Sequence, residues 1–130
     1  ERTYHLAVAL FDKFMRRAKG KMILYNHNVH VMGIVAMYLA SKYEDIIPIN
    51  SVTFSDKISH NQISQKEILN IEHEFLTNLN FDLEVVTPYD FHIYFFHIIK
   101  SKMEPMERVE ADVFSKIKEL SILIISMALQ

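Results

Sequence analysis

The segment MGIVAMYLASKYED, Met32–Asp45, decides how the rest of the chain is read. Ile34, Val35, Tyr38 and Leu39 recur at the three- and four-residue spacing of one helical face. Ala36 and Ala40 are small and favour the helix. Gly33 interrupts the apolar run at a cost of about 1 kcal/mol relative to alanine. A glycine kept there predicts that another helix comes very close. Ser41, Lys42, Glu44 and Asp45 then close the segment with polar and charged groups, and Pro48 follows. Lys42 and Tyr43 stand three and four residues after Leu39, so they continue its face. The helix is expected from about Asn28 to Tyr43. Pro48 disfavours helical geometry at Ile47, which makes the chain turn there.

Working outward, the same periodicity predicts helices on both sides. Upstream, Thr3–Arg17 reads as a helix with Thr3 as its cap. Ala7, Phe11 and Phe14 lie on one face and Leu6 and Leu10 on an adjacent one, so this helix packs on more than one side. Asp12 and Lys13 fall between or beside those faces. Ala18–Asn28 is a connector, and Arg16, Arg17, Lys19 and Lys21 make a small basic cluster around Gly20, read as a solvated loop. Downstream, Val52–Ile58 reads as a short helix or helical turn anchored by Val52, Phe54 and Ile58. Ser64 and Glu67 form a capping box, in which a serine accepts an amide hydrogen bond and a glutamate returns one. The following helix spans about Gln65–Leu79, with Ile68, Ile71, Phe75 and Leu79 as its stripe, Leu76 alongside and Glu72 at the flank. Thr87 caps another helix that starts at Pro88, carries Asp90 in its first turn and runs to about Lys102. It holds Phe91, Tyr94, Phe95, Ile98 and Ile99. Pro105 breaks the chain between Met103 and Met106. A last helix covers about Glu107–Leu129 with Val109, Val113, Ile117, Leu120, Ile124 and Met127.

Composition agrees with an all-α bundle of few, long helices. Among 130 residues there are 2 glycines and 3 prolines, and 50% are apolar. The length suits one domain. The formal net charge is −2, so no global basic field draws the chain to nucleic acid. With 0 cysteines there is no disulfide framework and no thiolate metal site. No apolar run reaches the roughly 18 residues that span a bilayer, and no signal peptide is visible. A soluble intracellular protein is the default expectation.

Catalytic and metal chemistry find little support. The chain has 7 histidines. His27 and His30 could share a helix face, and His92 and His97 cannot, but no carboxylate or thiol completes a tetrahedral set. There is no glycine-rich phosphate loop, no nucleophile elbow and no H-E-x-x-H. His73, between Glu72 and Glu74, reads as a half-exposed helix residue. The scattered methionines read as core packing. The reading is therefore a protein without an enzymatic site, without a cofactor or metal and without a small-molecule substrate.

A small-residue-rich apolar helix ending in Ala40-Ser41-Lys42-Tyr43-Glu44-Asp45 resembles the central helix of a cyclin box. The second half of the pattern is IEHEFLTNLNFDLEVVTPYDF, Ile71–Phe91, with Leu6-Ala7-Val8 and Asp12-Lys13-Phe14 upstream. The resemblance implies a cyclin-like multi-helix bundle around a central helix. It places a first box at residues 1–86 without its opening helix, and the start of a second box at 87–130. An apolar groove is then expected, left open or filled by another molecule. The partner to Asp12 would be a basic residue on the opening helix. The family also docks substrates through a patch built mostly on that helix; where many members have a glutamine in the central helix, this chain has His30.

The resemblance further implies a regulatory subunit that binds and activates a cyclin-dependent protein kinase in cell-cycle control. Lys42 and Glu72 become the polar centre of the kinase-binding surface. Without the resemblance, Lys42 reads as a lysine answering the helix dipole and Glu72 as a solvated flank residue. Leu39, Tyr43, Leu76, Phe81 and Leu83 match the apolar contacts around that centre, as expected of an interface hot spot. Location in the nucleus or cytoplasm is implied by the family alone. A cyclin-fold transcription protein and a helical scaffold with no kinase partner are the competing readings; neither requires Lys42 and Glu72 to be special.

Overall fold

The computed structural model describes residues 1–18, 29–58, 63–102 and 108–128. Among them the chain forms α1 (Arg2–Ala18), α2 (Val29–Glu44), a short α3 (Ser51–Thr53) continued by a π-helical turn (Phe54–Ile58), α4 (Gln65–Leu79), α5 (Pro88–Lys102) and α6 (Arg108–Met127). No strand occurs among these residues, so the all-α expectation holds. The chain divides into two compact units, Glu1–Val85 and Val86–Gln130. The connector at 19–28 and the break at 103–107 lie outside the described residues, as do the side chains of Ile58 and Val109.

In the first unit α2 is the centre, because it is apolar nearly all round and must be covered on several sides. One side packs with α1 and α4. Leu6, Ala7, Leu10, Phe14 and Ala18 of α1 meet Met32, Val35, Ala36, Leu39 and Ala40 of α2, and Ile71, Phe75 and Leu79 of α4 complete the cluster. Phe14 and Phe75 stack with ring centroids 4.0 Å apart and planes 14° from parallel. The other side of α2 carries Tyr38, which joins Phe54, Ile63 and Ile68 in a second cluster. Each fully buried side chain of this size contributes about 1.5–3 kcal/mol through removal from water.

Local chemistry explains the helix boundaries. Ser64 accepts the Glu67 N–H at 3.2 Å and caps α4. Asn50 accepts the Thr53 N–H at 2.7 Å and starts α3. At α5, Thr87 and Asp90 cap each other: the Asp90 carboxylate accepts the Thr87 N–H at 2.8 Å, and the Thr87 hydroxyl accepts the Asp90 N–H at 3.3 Å. Pro88 follows at the first helical position, where its missing N–H costs nothing.

Three sequence expectations are corrected. Thr3 lies inside α1, one residue past its start, and donates to Asp45 instead of capping. Val52 is exposed, and Phe54 and Ile63 supply the anchoring that was expected of it. Gly33 is not a close-approach site: a Cβ placed there meets nothing within 4 Å among the described residues.

The second unit is a helix pair. Phe96 of α5 packs on Phe114 of α6 with ring centroids 5.2 Å apart, and His92 packs on Phe96 at 4.4 Å. The periodic apolar rows expected on these helices are present but face solvent. Phe91, Tyr94, Phe95 and Ile99 of α5 are exposed, as are Val113, Ile117, Leu120, Ile124 and Met127 of α6.

Candidate functional site

Of the expected site residues, Lys42 at the end of α2 and Glu72 in α4 are in direct contact, and Leu39, Leu76 and Leu83 meet at the main core cluster. Lys42 leaves the end of α2 and its Nζ donates to Glu72 Oε1 of α4 at 2.6 Å. The Lys42 Nζ also lies 5.2 Å from the centroid of the Tyr38 ring, within cation–π range. The two charges are sheltered unequally: side-chain exposure is 41% for Lys42 and 8% for Glu72. The carboxylate is thus held against the core while the ammonium reaches solvent. Screening at the lysine end limits the pair to about 1 kcal/mol of stability. What it supplies is a fixed polar centre.

The apolar surround is uneven. Tyr43 and Phe81 are exposed, and Phe81 stands out at 66%. Leu76 and Leu83 are partly buried and pack against the main core cluster. Leu39 departs from the expected face. At 3% exposure it belongs to that core, where it holds α2 against α1 and α4. Its spacing from Lys42 and Tyr43 puts it on their side of the helix, but one turn back from the helix end, where neighbours cover it.

The turn carrying Phe81 begins with a helix stop. Asn80 adopts left-handed backbone with φ 55° and ψ 35°. Its N–H donates to Thr77 O at 3.1 Å, and the Phe81 N–H donates to Leu76 O at 2.8 Å. This pair of bonds is the Schellman arrangement that closes a helix C-terminus. Two cations of α1 then grip the turn. Lys13 Nζ donates to Asp82 Oδ2 at 2.8 Å, Asp82 O at 3.0 Å and Glu84 O at 3.4 Å. Arg17 Nη1 donates to Leu79 O at 2.6 Å, and its Nη2 stands 3.6 Å from Asp82 Oδ2. The Lys13 hydrogen bond, with the Lys13 and Arg17 charges, holds the Asp82 carboxyl below its ordinary value against a smaller opposing effect of burial.

A second polar tie sits beyond Lys42. The Asp45 carboxylate accepts the Ser41 hydroxyl and the Thr3 hydroxyl, each at 2.6 Å, and these bonds in that order hold its carboxyl below the ordinary value. Ser41 Oγ in turn accepts the Ile49 N–H at 3.2 Å. Arg2 Nε lies 3.4 Å from Glu44 Oε2. The loop so fastened presents Ile46 and Ile47 to solvent.

Sequence reasoning missed Lys13, Arg17 and Asp82, and the Thr3–Ser41–Asp45 tie. The only signal was the placement of Lys13 beside two apolar faces, because its partner lies 69 residues away. Among the described residues no group of three or more metal-ligating side chains occurs, and no helix is long and apolar enough to cross a membrane.

Comparison with known proteins identifies the family. The family model for the cyclin N-terminal domain matches residues 1–84. The chain is 35% identical to human cyclin-A2 over 96 residues, 73% of this chain and 21% of that protein. It is 32% identical to Xenopus laevis cyclin-A1 over 113 residues, 85% of this chain and 26% of that protein. With the G2/mitotic-specific cyclin-B1 of Caenorhabditis elegans it shares 33% identity over 81 residues, 62% of this chain and 21% of that protein. This chain belongs to the cyclin family. Its relatives make it a cyclin-box protein of the cell-cycle type. The alignments with these three relatives span about a fifth to a quarter of their length.

Proposed function

We propose that this chain binds a cyclin-dependent protein kinase through the face built on Lys42 and Glu72 and stabilises the kinase's active arrangement. The observation that carries the reading is the Lys42–Glu72 ion pair at 2.6 Å, with Tyr43, next to Lys42 in sequence, and Phe81, in the turn after α4, both exposed. Charged groups with unused hydrogen-bonding capacity, ringed by aromatic and aliphatic surface, suit a partner that offers backbone groups and apolar side chains. Lys42 has three N–H donors and Glu72 accepts one, so the ammonium keeps donors for a partner.

The mechanism is a population shift. A rigid helical face that fits the kinase's mobile regulatory helix better in its inward position favours that position by the difference in affinity. The inward helix brings the glutamate that pairs with the kinase's phosphate-binding lysine. The regulator supplies no reacting group. A location in the nucleus, the cytoplasm or both is what membership of the family supports.

The test is capture of a cyclin-dependent kinase by the native chain, with phosphotransfer assayed in the captured material, beside Lys42→Ala and Glu72→Ala. Each substitution is expected to weaken binding by about 2–5 kcal/mol, the range for truncating one partner of an interfacial charge pair. Kinase held equally well by both variants removes the face from the interface.

A further inference from the structure

Asn80 and Phe81 both have positive φ, 55° and 57°. Asparagine accepts left-handed backbone readily, whereas a bulky aromatic residue there is an outlier that its surroundings must enforce. The Schellman bonds fix the turn from the α4 side. They use the amides of residues 80 and 81, and the Asp82 N–H donates to Leu79 O at 3.1 Å. Side chains of α1 add donors to the turn from outside it. Lys13 Nζ has three donors and meets three acceptors of the turn: Asp82 Oδ2, Asp82 O and Glu84 O. Arg17, one helical turn on and so on the same face of α1, takes Leu79 O at 2.6 Å. Phe81 therefore sits between two gripped points, 79 and 82, with its ring in solvent. The Lys13 side chain is only 22% exposed, so the grip is partly shielded from water and salt.

We infer that Lys13, with Arg17, is a positioning residue for the partner-binding face: it clamps the left-handed turn so that Phe81 is projected before the partner arrives. The inference rests on the kinase reading and adds to it a control point on a different helix from the face itself. Preorganisation lowers the ordering cost of binding. A partner that needs the projected turn sees its affinity reduced by the fraction of chains in which the turn is formed. A lysine suits the position because three donors are required there and no acceptor can be tolerated against two carbonyls.

The test uses the full chain, a purified cyclin-dependent kinase catalytic subunit of the kind that pairs with A- and B-type cyclins, and the variants Lys13→Met, Lys13→Arg, Phe81→Ala and Lys42→Ala. Methionine keeps the apolar stem of Lys13 and deletes the donors. If the clamped turn falls to about a tenth of the population, Lys13→Met weakens kinase binding about tenfold, and Lys13→Arg restores most of it. The loss should vanish in the Phe81→Ala background and persist in the Lys42→Ala background, a pattern that general destabilisation does not produce. Independently of any kinase, amide exchange at Phe81 and Asp82 should accelerate in Lys13→Met while exchange in α2 stays unchanged. Equal losses in both backgrounds, or unchanged exchange in the turn, overturn the inference. A native chain that holds no kinase overturns the kinase reading and the positioning role with it, and the exchange result then shows separately whether the clamp exists.

Discussion

The two units are built from helices of the same sequence quality and end in opposite states. α4 and α6 both carry apolar residues at intervals of three and four. On α4 that stripe, Ile68, Ile71, Phe75 and Leu79, is wholly buried. On α6 the corresponding row, Val113, Ile117, Leu120, Ile124 and Met127, is exposed throughout. The difference lies in the number of elements available. In the first unit α2 is flanked by α1 and α4 on one side and by Phe54 of the π-helical turn, Ile63 and the start of α4 on the other. Two helices alone can bury only the strip along their contact, here Phe96 on Phe114. Periodicity thus specifies a helix and the face it would bury, and the surrounding elements decide whether that face is covered.

The largest expected effect tests that contrast directly. Phe75→Ala deletes half of the stacked pair with Phe14 at the centre of the first unit and should cost about 3–5 kcal/mol in chemical denaturation. Ile117→Ala, a deletion from the exposed row, should change stability by no more than about 0.5 kcal/mol. Comparable losses from the two would mean that the α6 row is covered in solution, and the contrast between the units would disappear.

A smaller effect sharpens the account of α2. Because a Cβ at Gly33 meets no described atom within 4 Å, Gly33→Ala should stabilise the protein by about 0.5–1 kcal/mol through helix propensity and a less flexible unfolded chain. A destabilised variant would show a neighbour pressing on that position and restore the close approach that the sequence suggested.

The smallest effect concerns acid. Asp45 and Asp82 have folded-state values below their ordinary ones, so each contributes stability that is complete above the unfolded carboxylate value of about 3.9. The contribution is lost as pH falls from there through the lower folded value. Both carboxylates are near solvent, so the loss is modest. Amide signals of residues 45–49 and 80–84 should stay unchanged from neutral pH to about pH 4 and shift below it. Changes already present near pH 6 would assign the transition to histidine and remove these carboxylates as its source.

Much of the fold was legible from local rules. The Gln65–Leu79 and Pro88–Lys102 boundaries were set by Ser64 and by Thr87 with Pro88, whose effects act within one turn. α2 was legible from Ile34, Val35, Tyr38 and Leu39 at helical spacing and from the helix-favouring Ala36 and Ala40. The site was legible only through resemblance: Lys42 and Glu72 are 30 residues apart, and nothing in their spacing predicts a bond of 2.6 Å. Leu39 was assigned to the face through the same resemblance, and its helical spacing from Lys42 and Tyr43 gives direction around the axis but says nothing of depth. Thr3 was taken for a cap because a threonine near a helix start has that chemistry available; Asp45, 42 residues away, offered it a better acceptor.

By itself, then, the sequence determined most of the helices, the caps at Ser64 and Thr87, the all-α class and the family, since each rests on local hydrogen bonding or on a pattern of residues in order. Tertiary structure alone decided which apolar stripes are buried, that Glu72 is sheltered while Lys42 reaches solvent, and that Lys13 and Arg17 hold the turn bearing Phe81. Burial and long-range polar pairing depend on which segments meet in space, and that is a property of the packed chain as a whole.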